Sequence, residues 1–106
     1  MAFQVDITEP ALADAEDYVQ FIREVRKQPE AAVRWFRGLV RAIYSLEKLP
    51  ERCPVIPEQE DFSFEIRHLI YLSHRIIFRV DVDKNRVVIF RVYHGARQGL
   101  AEADLP

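Results

Sequence analysis

Two runs, His74-Arg75-Ile76-Ile77-Phe78-Arg79-Val80-Asp81 and Arg86-Val87-Val88-Ile89-Phe90-Arg91-Val92-Tyr93-His94, decide the fold of this chain. Both are rich in β-branched and aromatic residues, the composition of strands. Arginines recur on them at spacings that fit a two-residue period, and a strand sends alternate side chains to opposite faces. Asp83-Lys84-Asn85 between them reads as a hairpin loop, with Asn85 suited to a left-handed backbone. In that register Val80 faces Val88, Phe78 faces Phe90 and Ile76 faces Val92, which makes an apolar packing face. The opposite face then carries Arg75, Ile77, Arg79, Ile89, Arg91 and Tyr93. A slip of one residue would exchange the two sets, so their internal agreement supports the pairing. A third strand-like run, Phe62-Ser63-Phe64-Glu65-Ile66-Arg67-His68-Leu69-Ile70-Tyr71, comes just before.

Working back from the strands, Pro50, Pro54 and Pro57 with the polar residues 58–61 make an extended connection. Before it, Ala32, Phe36, Leu39, Ile43 and Leu46 form a helical stripe widened by Val33, Trp35 and Val40. Pro29 suits the first position of that helix, which is expected over residues 29–48. An earlier helix over residues 8–26 is signalled by Thr8 as N-cap and by acidic residues in its opening turns. Its stripe is Leu12, Ala15, Val19, Ile22 and Val25. Two amphipathic helices joined so tightly form an antiparallel hairpin. Residues 3–7 alternate apolar and polar and make a first short strand. The expected order is β-α-α-β-β-β: an α+β fold with an N-terminal strand and a helix hairpin packed on one face of a mostly antiparallel sheet.

At 106 residues the chain is expected to form one domain, 1–106, around one core. Hydrophobic content of 49% and charged content of 30% are those of an ordinary globular protein. No apolar run is long enough to span a bilayer and no signal peptide is evident, so the expected compartment is the cytoplasm. Cys53 stands alone, without a nearby histidine in sequence, and reads as structural. A net charge of −2 argues against a general nucleic-acid binder. The charge is uneven, however. Asp6, Glu9, Asp14, Glu16 and Asp17 crowd the start, whereas Arg67, Arg75, Arg79, Lys84, Arg86, Arg91 and Arg97 outnumber Asp81 and Asp83 in the last third. A local basic surface is compatible with the acidic total.

The order of elements, together with four phrases, resembles the ParE/RelE superfamily of bacterial toxins. The phrases are Leu46-Glu47-Lys48-Leu49-Pro50-Glu51-Arg52-Cys53-Pro54, Glu65-Ile66-Arg67-His68-Leu69, Arg75-Ile76-Ile77-Phe78-Arg79-Val80 and Val92-Tyr93-His94-Gly95-Ala96-Arg97. The resemblance implies the toxin of a type II toxin–antitoxin module, often called a plasmid stabilisation protein. Such a toxin is held inactive by a cognate antitoxin in a hetero-oligomer. Two activities occur in the superfamily: RelE-like members are ribonucleases that cut mRNA, generally on the ribosome, and ParE-like members bind and block DNA gyrase. The His94-Gly95-Ala96-Arg97 ending is closer to the ParE branch, which makes a gyrase inhibitor the expected function. The alternatives are a ribosome-dependent mRNA endonuclease and an inactive member serving only as a binding module.

A ribonuclease that uses the 2′-hydroxyl needs no metal; it needs a base, an acid and cations around the phosphate. Arg67, Arg75, Arg79, Arg91 and Arg97 are the candidate phosphate ligands, with Tyr93 or His94 for proton transfer. The plainer reading is that strand arginines are solvated and pair with Glu65 or Asp81, and that His94 is a hydrogen-bonded residue at the core edge. As a cluster, Arg75, Ile77, Arg79, Ile89, Arg91 and Tyr93 read as a partner-binding face. Arg34, Arg37 and Arg41 on the second helix read as a solvated stripe. The three strands contain no lysine, and Glu65 has no histidine partner on its own face. His68, His74 and His94 lack metal-site spacing, so no metal or cofactor is expected. These departures favour a binding protein over an enzyme.

Overall fold

The structure, a computed structural model, describes residues 2–95. Its elements are β1 (Gln4–Ile7), α1 (Glu9–Glu24), α2 (Pro29–Tyr44), β2 (Arg67–Tyr71), β3 (His74–Asp81) and β4 (Arg86–His94), with short 3-10 turns between α2 and β2. The sheet runs β1-β4-β3-β2; β1 lies parallel to β4, and the other pairs are antiparallel. The expected α+β order is the observed one. Residues 96–106, including Arg97, lie outside the described residues.

Local chemistry sets the helix limits. The Thr8 hydroxyl accepts from the Ala11 amide at 3.3 Å, which caps α1 while the Thr8 backbone stays extended. Pro10 stands in the first turn, where no amide partner is needed. Lys27 takes a left-handed backbone at φ 57 between the helices, and Pro29 opens α2. α2 ends at Tyr44 and tightens into a 3-10 turn, so the expected helix to residue 48 is four residues too long. On α1 the buried residues are Ala11, Ala15 and Ile22, whereas Leu12 and Val25 are exposed. Ala15 and Ile22 are buried as expected, while at the start of the helix Ala11 takes the buried place expected of Leu12.

The strand register carries the main correction. Asp81 pairs with Arg86, so the loop is the four residues 82–85, one more than expected. The Asp81 carboxylate accepts from the Lys84 amide at 3.2 Å and stabilises that longer turn, while Asn85 is left-handed as expected, at φ 54. Val80 therefore faces Val87 and Phe78 faces Ile89. The ladder then jumps, with Ile77 opposite Arg91, which leaves Phe90 as the extra residue of a β-bulge. Beyond the bulge Ile76 faces Val92, as expected. Ile89 consequently lies on the helix side, fully buried with Phe78, Ile76, Val87 and Val92, and not on the arginine side. Phe90 turns the other way, its ring 6.1 Å from that of Phe64.

The chain between α2 and β2 folds back over the sheet's second face. Ile56, Ile66, Ile77 and Tyr93 form a smaller buried cluster there, with Phe62 and Phe64 against it. The second face is thus partly a core and not an open surface.

Gly38 of α2 provides a stability test. Tyr71 donates its hydroxyl to the Trp35 carbonyl at 2.9 Å, and a β-carbon on Gly38 would collide with that hydroxyl oxygen. In an open helix Gly→Ala stabilises by about 1 kcal/mol. Here Gly38→Ala is expected to destabilise by about 1–2 kcal/mol in urea unfolding, with part of the loss recovered in a Tyr71→Phe background.

Candidate functional site

The arginines of the second face sit among acceptors supplied by the chain itself. Arg67 donates to the Cys53 carbonyl at 2.5 Å, the Glu51 carbonyl at 3.2 Å and Glu65 Oε1 at 2.8 Å. Arg75 forms a bidentate pair with Glu58 at 2.9 and 3.0 Å, and both side chains are largely buried. Arg91 forms a second bidentate pair with Asp14 of α1, at 2.8 Å on both sides, and lies over the Tyr93 ring at 4.5 Å. Arg79 lies over the Phe64 ring at 5.3 Å and belongs to no ion pair among the described residues. Of the candidate partner-binding set, Arg75, Arg79 and Arg91 share one face and are partly exposed, whereas Ile77, Ile89 and Tyr93 are buried, Ile89 on the helix side.

Glu58 and Asp14 are the structural partners that sequence reasoning missed. Glu58 and Arg75 are 17 residues apart, and Asp14 and Arg91 are 77 apart. The one available signal was the acidic crowding at the start of the chain, which matches the excess of arginine at its end in sign but not in address.

The histidines divide into two environments. His68 lies beside Arg75, whose Nε donates to His68 Nδ1 at 3.1 Å. Burial, then the Arg75 charge, lowers the His68 pKa, so the ring is neutral near pH 7 with its proton on Nε2. A general base needs a free ring lone pair, and this one is taken. His74 is 3% exposed among rings, 4.2 Å from Tyr18, 5.1 Å from Trp35 and 5.0 Å from His94, and Ser73 Oγ lies 3.2 Å from its Nδ1. Its pKa is lowered to about 4 by burial, then by His94, with Asp14 opposing. His94 is exposed at the end of β4, and with Asp14, Asp17, Tyr18, His74 and Tyr93 it lines a cavity of about 280 Å³. Among the described residues no Lys or Arg lines that cavity; its two carboxylates are Asp14, which is already paired with Arg91, and Asp17.

Among the described residues no group of three His, Cys, Asp or Glu stands close enough to hold a metal ion, and no helix is long and apolar enough to cross a membrane. Cys53 is buried and its thiol pKa is pushed up by that burial, a structural setting. Arg34, Arg37 and Arg41 are exposed along α2.

This fold recurs in chains of bacterial and archaeal toxin–antitoxin systems. A chain of the chromosomal ParDE system of P. aeruginosa superposes with a TM-score of 0.72 at 19% identity, covering 88% of this chain and 96% of that one. The RelBE2 toxin–antitoxin complex of Mycobacterium tuberculosis gives 0.63 at 21% identity, covering 89% and 99%. The archaeal RelE–RelB complex of Pyrococcus horikoshii OT3 gives 0.56 at 15%, covering 92% and 100%. Identities this low establish the fold. A comparison with curated proteins finds no match. The family follows from the sequence itself: residues 5–99 match the profile of the ParE toxin of type II toxin–antitoxin systems. The chain belongs to that family, within the ParE/RelE superfamily.

Two measurements test this description. Asp14→Ala would strand Arg91 and the Val92 amide, which Asp14 accepts at 3.0 Å, and is expected to cost about 2–3 kcal/mol in urea unfolding. His74 takes up its proton only near pH 4 in the fold but near pH 6.5 when unfolded. Its contribution to stability is therefore complete above pH 6.5 and lost as pH falls towards 4. His74→Gln is expected to flatten that part of the curve of unfolding free energy against pH.

Proposed function

We propose that this protein is a growth-inhibiting toxin that acts in the cytoplasm by binding DNA gyrase and is neutralised by a cognate antitoxin in a hetero-oligomer. The observation that carries the binding mechanism is the engagement of the arginines. Rate enhancement at a phosphate requires cations aimed at the developing charge. Arg75 and Arg91 are instead locked to Glu58 and Asp14, and Arg67 is committed to carbonyls and Glu65. The lone pair of His68 is occupied, and among the described residues no Lys or Arg lines the cavity beside His94. Membership of the ParE family supports the same choice of target.

On this reading the carboxylates make Arg75 and Arg91 rigid parts of a face, and Arg79 is the cation held by no carboxylate among the described residues. It is the residue of that face best placed to pair with an acidic group on the target. A face made of fixed arginines over a buried apolar cluster suits protein recognition, since little side-chain entropy is lost on docking.

Inducing the chain alone should arrest bacterial growth, and the adjacent antitoxin should restore it. Purified protein should inhibit gyrase supercoiling, while primer extension on transcripts after induction should show no new ends. New cleavage ends with unimpaired gyrase would support the RelE-like endonuclease, and normal growth under confirmed expression would favour an inactive binding module. Arg79→Ala should leave the unfolding free energy within about 0.5 kcal/mol of the parent, as for most surface changes. The same variant should weaken supercoiling inhibition by about tenfold, the loss of one charge-assisted contact.

A further inference from the structure

Where α1 turns into α2, the surface holds a cavity of about 330 Å³ that the proposed function does not use; Ile22, Arg26, Arg34, Trp35, Tyr71 and Leu72 are among its walls. Arg26 and Arg34 bring two guanidinium groups to it. No Asp or Glu lines it, and neither arginine is in an ion pair among the described residues. Arg26 rests against the Phe21 ring at 5.2 Å. α2 begins at the same place without a side-chain cap from Gln28, and its positive end adds to the field there, offset in part by Glu30 in its first turn. The remaining walls are mainly apolar and aromatic. Trp35 is 8% exposed, and its buried indole N–H has no acceptor among the described residues.

A second observation falls on the same rim. Tyr71 pairs with His74, so β2 and β3 are joined by the two residues Leu72 and Ser73. Leu72 has φ 52 and is 72% exposed. Turns of this length normally place Gly or Asn at a positive φ. A leucine there is strained and offers its side chain to solvent, a choice that stability alone does not favour.

We propose that this cavity seats a segment of a protein partner in which a carboxylate side chain stands beside an aliphatic one. Arg26 and Arg34 would hold the carboxylate, with the planar pairing that guanidinium groups make best. Leu72, Tyr71 and Trp35 would take the aliphatic neighbour and exclude water from the pair. A nucleic-acid strand fits less well, because its repeated charges need a track of cations and this pocket has two over apolar walls. The occupant most consistent with the proposed function is a segment of the antitoxin, and in that naming alone the inference rests on the toxin reading.

Trp35 is the only tryptophan of the chain, so its fluorescence reports on the cavity directly. The intact chain would be titrated with acetyl-Leu-Glu-Ala-Leu-amide, with its Gln counterpart and with the dinucleotide UpA. The Glu peptide should shift the emission saturably, and salt should weaken the response. Affinity should fall about tenfold for the Gln peptide and in an Arg26→Ala/Arg34→Ala variant of unchanged circular dichroism. Leu72→Asn supplies a second arm: it should raise the melting temperature by relieving the turn while reducing peptide affinity. Equal responses to the Glu and Gln peptides, no response to the Glu peptide, or a preference for UpA would each overturn the proposal. The titration uses neither growth nor gyrase, so its failure and the failure of the toxin reading are separable.

Discussion

The structure depends on one junction, where the start of α1 meets the bulge in β4. A bulge removes a residue from the ladder and leaves backbone groups that the neighbouring strand cannot serve. α1 and its cap serve them here. The Thr8 amide donates to the Ile89 carbonyl at 3.1 Å, and the Thr8 hydroxyl lies 2.8 and 3.0 Å from the carbonyls of Ile89 and Phe90. Asp14 accepts from the Val92 amide and from Arg91. The residue that caps α1 is therefore also the residue that closes the bulge. Helix position, strand register and the side to which Ile89 and Phe90 turn are fixed together.

That junction also explains why the arginine-bearing face is not the open basic surface its sequence suggests. Arg91 is anchored from the helix side through Asp14, and Arg75 is anchored from the link through Glu58, both in bidentate geometry with low exposure. Pairs of this kind return little net stability once desolvation is counted. Their value is geometric: they pin α1 and the 55–66 link to the strands. The link in turn buries Ile56, Ile66, Ile77 and Tyr93 and makes the second face a small core with charged edges. A face held by its own carboxylates is a better template for docking than a reactive centre for phosphate chemistry.

Two of the surface cavities differ in the charge of their walls. The one beside His94 is lined by Asp14 and Asp17, and the one at the helix turn by Arg26 and Arg34. Tyr18 lines both, and the buried His74 packs against it at 4.2 Å in one continuous set of rings with Trp35 and His94. With Asp14 committed to Arg91, the row runs from Asp17 at one end to Arg26 and Arg34 at the other.

Read alone, the sequence determined the element order, the helix hairpin, the N-cap at Thr8 and the left-handed Asn85. All of these rest on local periods, caps and turn residues within a few positions of one another. The sequence also made the family legible, through a resemblance carried by phrases spread along the chain. It missed the bulge, because one extra residue in the 82–85 loop and one in β4 cancel by the time Ile76 meets Val92, so the pattern looks consistent at the far end of the hairpin. It named Glu65, which Arg67 does meet, but not the partners of Arg75 and Arg91, since the pairing of Asp14 with Arg91 joins residues 77 positions apart. Leu12 and Ala11 are equally good helix residues, and only the tertiary packing selected the alanine. Burial and charge pairing are properties of the assembled layers, so only the tertiary structure decided which arginines are committed and which remain to meet a partner.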